Sequence, residues 1–63
     1  MNEFALKDIV LVVDPDSYGY GLRGKVVKTD FNNIRGETVY RIKFENRHMN
    51  LVWLSAKRLM KYA

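Results

Sequence analysis

Apolar residues in this chain come in short runs cut by Gly, Asn, Asp and Pro, and the runs are rich in Val, Ile, Tyr, Phe and Thr. That distribution predicts strands and turns rather than helices. The first run, Lys7 to Asp14, holds five consecutive apolar residues from Ile9 to Val13. Its length and β-branching predict a strand, although an unbroken run does not say which face is buried. Asp14-Pro15-Asp16-Ser17 ends it, because Pro has no backbone donor and the Asp and Ser side chains satisfy turn groups locally. A second strand is expected over Leu22 to Phe31. It follows a loop in which three of the four glycines, Gly19, Gly21 and Gly24, fall within six residues, so this segment needs backbone freedom or close approach more than it needs side chains.

Asn32-Asn33-Ile34-Arg35-Gly36 predicts a turn. The third strand, Glu37 to Glu45, alternates cleanly, with Tyr40, Ile42 and Phe44 on one face and Val39, Arg41 and Lys43 on the other, which describes a half-buried strand with a basic outer face. Asn46-Arg47 is expected as a tight connection to a fourth strand, about His48 to Leu54. There Met49, Leu51 and Trp53 alternate against His48, Asn50 and Val52, so Trp53 is expected inside. Ser55-Ala56-Lys57-Arg58 predicts a single helical turn opened by a Ser cap, and Leu59 to Tyr62 a last short strand. Only Met1 to Leu6 leaves room for a further helical segment.

At 63 residues the chain is one domain, residues 1–63, and a chain of this size buries only about 60% of the surface it exposes when unfolded. It contains no Cys, so disulfides, thiolate chemistry and zinc knuckles are excluded together. Packing alone must hold it, and closing the sheet removes edges that few residues are left to cover. The expectation is an all-β fold, a five-stranded small barrel with one short helical turn before the last strand. This order of elements resembles the Src-homology-3-like (SH3-like) barrels. Within them, Val10-Leu11-Val12-Val13 followed by Gly21-Leu22-Arg23-Gly24-Lys25-Val26-Val27-Lys28 resembles the KOW motif of transcription elongation and ribosomal proteins, over residues 8 to 30. The ending Val52-Trp53-Leu54-Ser55-Ala56-Lys57-Arg58-Leu59 is similar to the strand, turn and strand that close such barrels. The resemblance implies a module that binds RNA, ribosomal neighbours, polymerase, proline-rich peptides or methylated tails, and does not choose among them.

The longest apolar run is too short for a signal sequence or a membrane span, so the chain is read as complete and cytoplasmic, with no membrane partner. Its net charge is +4, unevenly placed. Residues 1–31 carry four Lys or Arg against five Asp or Glu, and residues 32–63 carry seven against two. The basic character belongs to the C-terminal half, which bears on solubility and on anionic partners and says nothing about fold, and +4 is common in small proteins that bind nothing anionic.

Enzyme chemistry finds little support in the residue types. There is one His and no Cys, Ser17 and Ser55 both sit where a turn or a cap explains them, and His48 has no second imidazole with which to hold a metal. Asp14 and Asp16 lack the further oxygens that calcium requires and are explained by the turn at Pro15. The spaced glycines precede no helix that could receive a phosphate. No cofactor and no metal are expected.

Two constellations remain. Tyr18 and Tyr20 flank Gly19 in the long loop, where they offer either a stacking surface for unpaired bases or a peptide groove, or fold back to plug the barrel end. Arg41 and Lys43 share a strand face, with Arg47 at the next connection, Lys57, Arg58 and Lys61 in the closing segment, and Lys25, Lys28 and Arg35 in reach if the second strand pairs with the third. These cations are either a phosphate-binding face or a solvated one that protects edges. The expected function is a non-enzymatic binding module for nucleic acid (RNA or DNA) or a nucleoprotein complex, through Tyr18, Tyr20, Arg35, Arg41, Lys43, Arg47, Lys57 and Arg58. The alternative is a protein-interaction module, such as a phage or prophage accessory protein or inhibitor that binds an acidic host protein. A monomer is expected, with a homodimer through an outer face of Val10, Val12 and Val52 as the other reading.

Overall fold

A computed structural model of the chain describes residues 4–46 and 48–62. The strands are β1 (Ile9–Val12), β2 (Arg23–Asn32), β3 (Glu37–Phe44), β4 (Val52–Ser55) and β5 (Leu59–Lys61), with one 3-10 turn, Ala56–Arg58, between β4 and β5. Every pairing is antiparallel, and the strands form one sheet in the order β4-β3-β2-β1-β5. The all-β class, the five strands and the single helical turn before the last of them are those the sequence predicts.

β4 and β5 lie at opposite edges of this sheet, yet Leu54 of one and Leu59 of the other belong to a single buried cluster with Phe4, Val10, Val12, Val26, Tyr40, Ile42 and Phe44. The sheet therefore coils around its own core, and the 3-10 turn spans the seam between its edges. At the open end nearest the N-terminus, Phe4 packs edge-on against Tyr40 with ring centroids 5.2 Å apart. Its backbone N–H donates to the Tyr40 hydroxyl. Residues 4–8 form a turn held by Asp8, whose carboxylate accepts from the Ala5 N–H, so the helical alternative for Met1 to Leu6 fails over its described part.

β2 and β3 form a long hairpin with one irregularity. Val26 lies opposite Ile42 and Lys28 opposite Arg41, so Val27 is an extra residue in β2. A bulge of this kind reverses the alternation on the strand that carries it. Lys25 and Lys28, three positions apart, consequently face the same side. Without Val27 as a bulge, Lys28 would share the inner face with Val26.

Four expectations need correction. β4 begins at Val52, not His48, because the Asn46 side chain accepts from the His48 N–H and its carbonyl from the Met49 N–H, which makes a turn of that segment. Leu54 lies opposite the buried Tyr40, and Val52 opposite Ile42, so these two residues face inward and Trp53 faces outward, 41% exposed. Met49 still packs against the core, from the turn. The proposed outer face of Val10, Val12 and Val52 does not exist either: Val10 and Val12 are fully buried, and Val52 packs against the core. Ile9 and Leu11 are the β1 side chains that point away from it. Ser55 occupies the cap position of the 3-10 turn but makes no capping hydrogen bond.

Candidate functional site

Register decides which cations meet. On the outer face of the β2–β3 hairpin, Lys25 stands directly opposite Lys43, and Lys28 directly opposite Arg41. Arg41 is in turn opposite Trp53 on β4, with its guanidinium carbon 6.0 Å from the centre of the indole ring. Lys28, Arg41 and Trp53 thus form one cross-strand row, and Lys25 and Lys43 the next. Among the described residues none of these four cations makes a salt bridge. Like charges directly across a ladder weaken a sheet, so this face costs the fold something.

Other cations are committed elsewhere. Arg23 pairs with Glu45 at 3.2 Å and lies over the Tyr62 ring at 4.7 Å. Glu45 chiefly, and Tyr62 next, raise its pKa and hold it still more firmly in the charged form. Arg58 donates to the Asp14 carboxylate at 2.6 Å and to the Ser17 hydroxyl at 2.9 Å. The Ser17 hydroxyl, which itself donates to Asp14, the Asp16 backbone N–H and then Arg58 depress the Asp14 carboxyl below its ordinary value. Arg58 therefore ties the first loop to the 3-10 turn. Lys57 is exposed on that turn, beside Phe31 and Tyr40 toward the turn end of the hairpin and away from the β2–β3 outer face. Arg35 lies in the hairpin turn, where the Asn32 side chain accepts from the N–H groups of both Ile34 and Arg35. It lines a groove together with Val39, Trp53 and Ser55. Arg47 lies outside the described residues.

The two tyrosines part company. Tyr18 sits edge-on to Phe44 with centroids 5.8 Å apart, and its hydroxyl accepts from the Asn50 N–H. That ring rests on the core residue Phe44 while remaining 48% exposed. Tyr20 is 56% exposed. The loop that carries them is a chain of turns, with Ser17 N–H donating to Asp14, Tyr20 to Ser17 and Leu22 to Gly19, so it is held in shape by its own backbone.

Of the residues singled out in the sequence, Arg41 and Lys43 are brought together, with Lys25 and Lys28 joining them through the β2–β3 pairing. Trp53 is the member that alternation assigned to the wrong side. Two polar atoms beside it, Arg41 Nε and Ser55 Oγ, are buried with no hydrogen-bond partner among the described residues, a condition that costs a folded protein roughly 1–3 kcal/mol per group.

Comparison with protein-family models, with curated proteins and with solved structures finds no match to the chain. Among the described residues no helix is long and apolar enough to cross a membrane, and no three His, Asp or Glu side chains stand together as metal ligands.

Proposed function

We propose that this protein is a non-catalytic module that binds nucleic acid through the outer face of its β2–β3 hairpin, alone or as part of a nucleoprotein complex. The observation that carries this reading is the placement of Lys25 opposite Lys43 and Lys28 opposite Arg41, four cations without ion pairs among the described residues. A sheet retains such a repulsive arrangement at a cost that a polyanion would offset. Arg41 brings a planar set of donors suited to phosphate, and the lysines bring point charges. The resemblance of residues 8 to 30 to the KOW motif agrees with this reading.

Fluorescence anisotropy with labelled RNA and DNA oligonucleotides tests it. Engagement of two to four phosphates gives a slope of log affinity against log salt of about −1.5 to −4, and Lys28→Ala or Lys43→Ala should each weaken binding and flatten that slope. Absence of salt-dependent binding, or variants indistinguishable from the parent, would rule the reading out.

A protein partner has an observation of its own. Further along the same outer face, where Ile9 of β1 is directly across from Lys25, Leu11 of β1 lies across from Met60 of β5, and Met60 and Tyr62 are both exposed. This apolar strip shares no residue with the cationic rows, so Met60→Ser together with Tyr62→Ser should abolish capture of a protein partner and leave oligonucleotide binding intact.

A further inference from the structure

The cationic rows end on an aromatic ring. Trp53 is held from one direction by Arg41 and opens into a groove lined by Asn32, Arg35, Glu37, Val39, Ser55 and Arg58, in which two cations outnumber one carboxylate. The ring is fixed on a strand rather than on a loop, which keeps its orientation at low entropic cost. Duplex nucleic acid has no use for such a ring, because its bases are already stacked on one another and shielded by two backbones. An unpaired base has a free face, and stacking on an indole beside cations that track the backbone is how single strands are held without regard to sequence.

Building on the proposed nucleic-acid reading, we infer that the ligand is single-stranded and that one of its bases stacks on Trp53. The spacing supports this assignment. Arg41 and Lys43 project from the same face of β3 two residues apart, about 7 Å along an extended strand, which is comparable to the step between successive phosphates of an extended single strand. A base on Trp53 places its own phosphate near Arg41 and Lys28 and the next near Lys43 and Lys25. Ribose and deoxyribose strands share the stacking and phosphate chemistry, so the two are distinguished by measurement.

Trp53 is the only tryptophan in the chain, so its emission reports directly on this site. The probes are a twelve-nucleotide uridine RNA, the corresponding thymidine DNA and a twelve-base-pair duplex. Single strands should quench Trp53 and bind about tenfold or more tightly than the duplex. Trp53→Ala should lose about tenfold or more in single-strand affinity with the salt slope unchanged, and Trp53→Phe should recover part of that loss. RNA bound more tightly than DNA, or the reverse, identifies the sugar that is read and supports the inference in either case. Salt-dependent binding that leaves Trp53 emission unchanged, or a duplex bound as tightly as the single strands, overturns the inference while the nucleic-acid reading stands. Failure of every oligonucleotide to bind at low salt overturns that reading and this one with it. The quenching arm uses the unmodified protein and does not depend on any variant folding.

Discussion

Arg58 reaches from the end of the β1–β5 ladder to Asp14, with Nη1 2.6 Å from the carboxylate and 2.9 Å from the Ser17 hydroxyl. The two charged residues are 44 positions apart, and the contact joins the loop after β1 to the turn before β5. Because the folded state depresses the Asp14 carboxyl below the ordinary aspartate value of 3.8, its stabilising contribution is fully present above that value. It is lost as the pH falls through the lowered one. Asp14→Asn should therefore lower Tm at neutral pH, and the gap from the parent should close on acidification below the carboxylate range. Thermal melts across a pH series check this, and a gap that stays constant would contradict it. Arg58→Ala should also lower Tm, yet leave the salt dependence of oligonucleotide binding unchanged, because its charge is already answered by Asp14.

Gly19 and Gly21 separate two reasons for glycine within one loop. Both have positive φ, +81° and +82°, but an added Cβ at Gly19 would collide with the Phe44 ring whereas at Gly21 it would meet nothing. Gly21→Ala should cost about 1–2 kcal/mol for the left-handed backbone alone. Gly19→Ala should cost more, about 2–4 kcal/mol, once displacement of a packed ring is included. Urea midpoints of the two variants, compared at equal slope, measure the difference.

The Lys25–Lys43 pair predicts a trade between stability and binding. Lys43→Glu converts a repulsive cross-strand pair into an attractive one and should raise stability by about 0.5–1 kcal/mol. The same change should weaken oligonucleotide binding and flatten its salt dependence. Denaturant unfolding and anisotropy on one preparation test both halves; a variant that loses stability would contradict the register on which the interface rests.

Trp53→Ala should be cheap for a tryptophan. A ring 41% exposed that faces Arg41 should cost about 1 kcal/mol on truncation, against the roughly 3–5 kcal/mol typical of a core Trp. Ile42→Ala, which empties a fully buried site, should cost about 2–5 kcal/mol. Chemical denaturation ranks the two, and a Trp53 variant as damaged as the Ile42 variant would return the indole to the core.

How far the site could be read in advance differs from residue to residue. Arg41 and Lys43 were legible because β3 alternates without interruption, so its inner set of Tyr40, Ile42 and Phe44 defines its outer set. Lys25 and Lys28 were not equally legible: a spacing of three breaks the period of two, and only the Val27 bulge returns both to one face. Arg58 and Arg41 look alike as sequence, each an arginine in a basic segment. Chain closure brings Asp14 to the first and no acid to the second among the described residues.

Local pattern thus determined what a chain can determine with its nearest neighbours: that Val, Ile and Tyr runs between Gly, Asn and Pro make strands, that the fold is all-β and needs no disulfide, and that positive charge gathers late in the sequence. Tertiary structure decided parity and partnership. Alternation in β4 is compatible with either face turned inward, since Val52 and Leu54 are as apolar as Met49, Leu51 and Trp53. The choice was made by pairing with β3, which places Leu54 across from buried Tyr40. Burying the side chains that complete the core sets the register, and the register turns Trp53 out beside Arg41, where the candidate site lies.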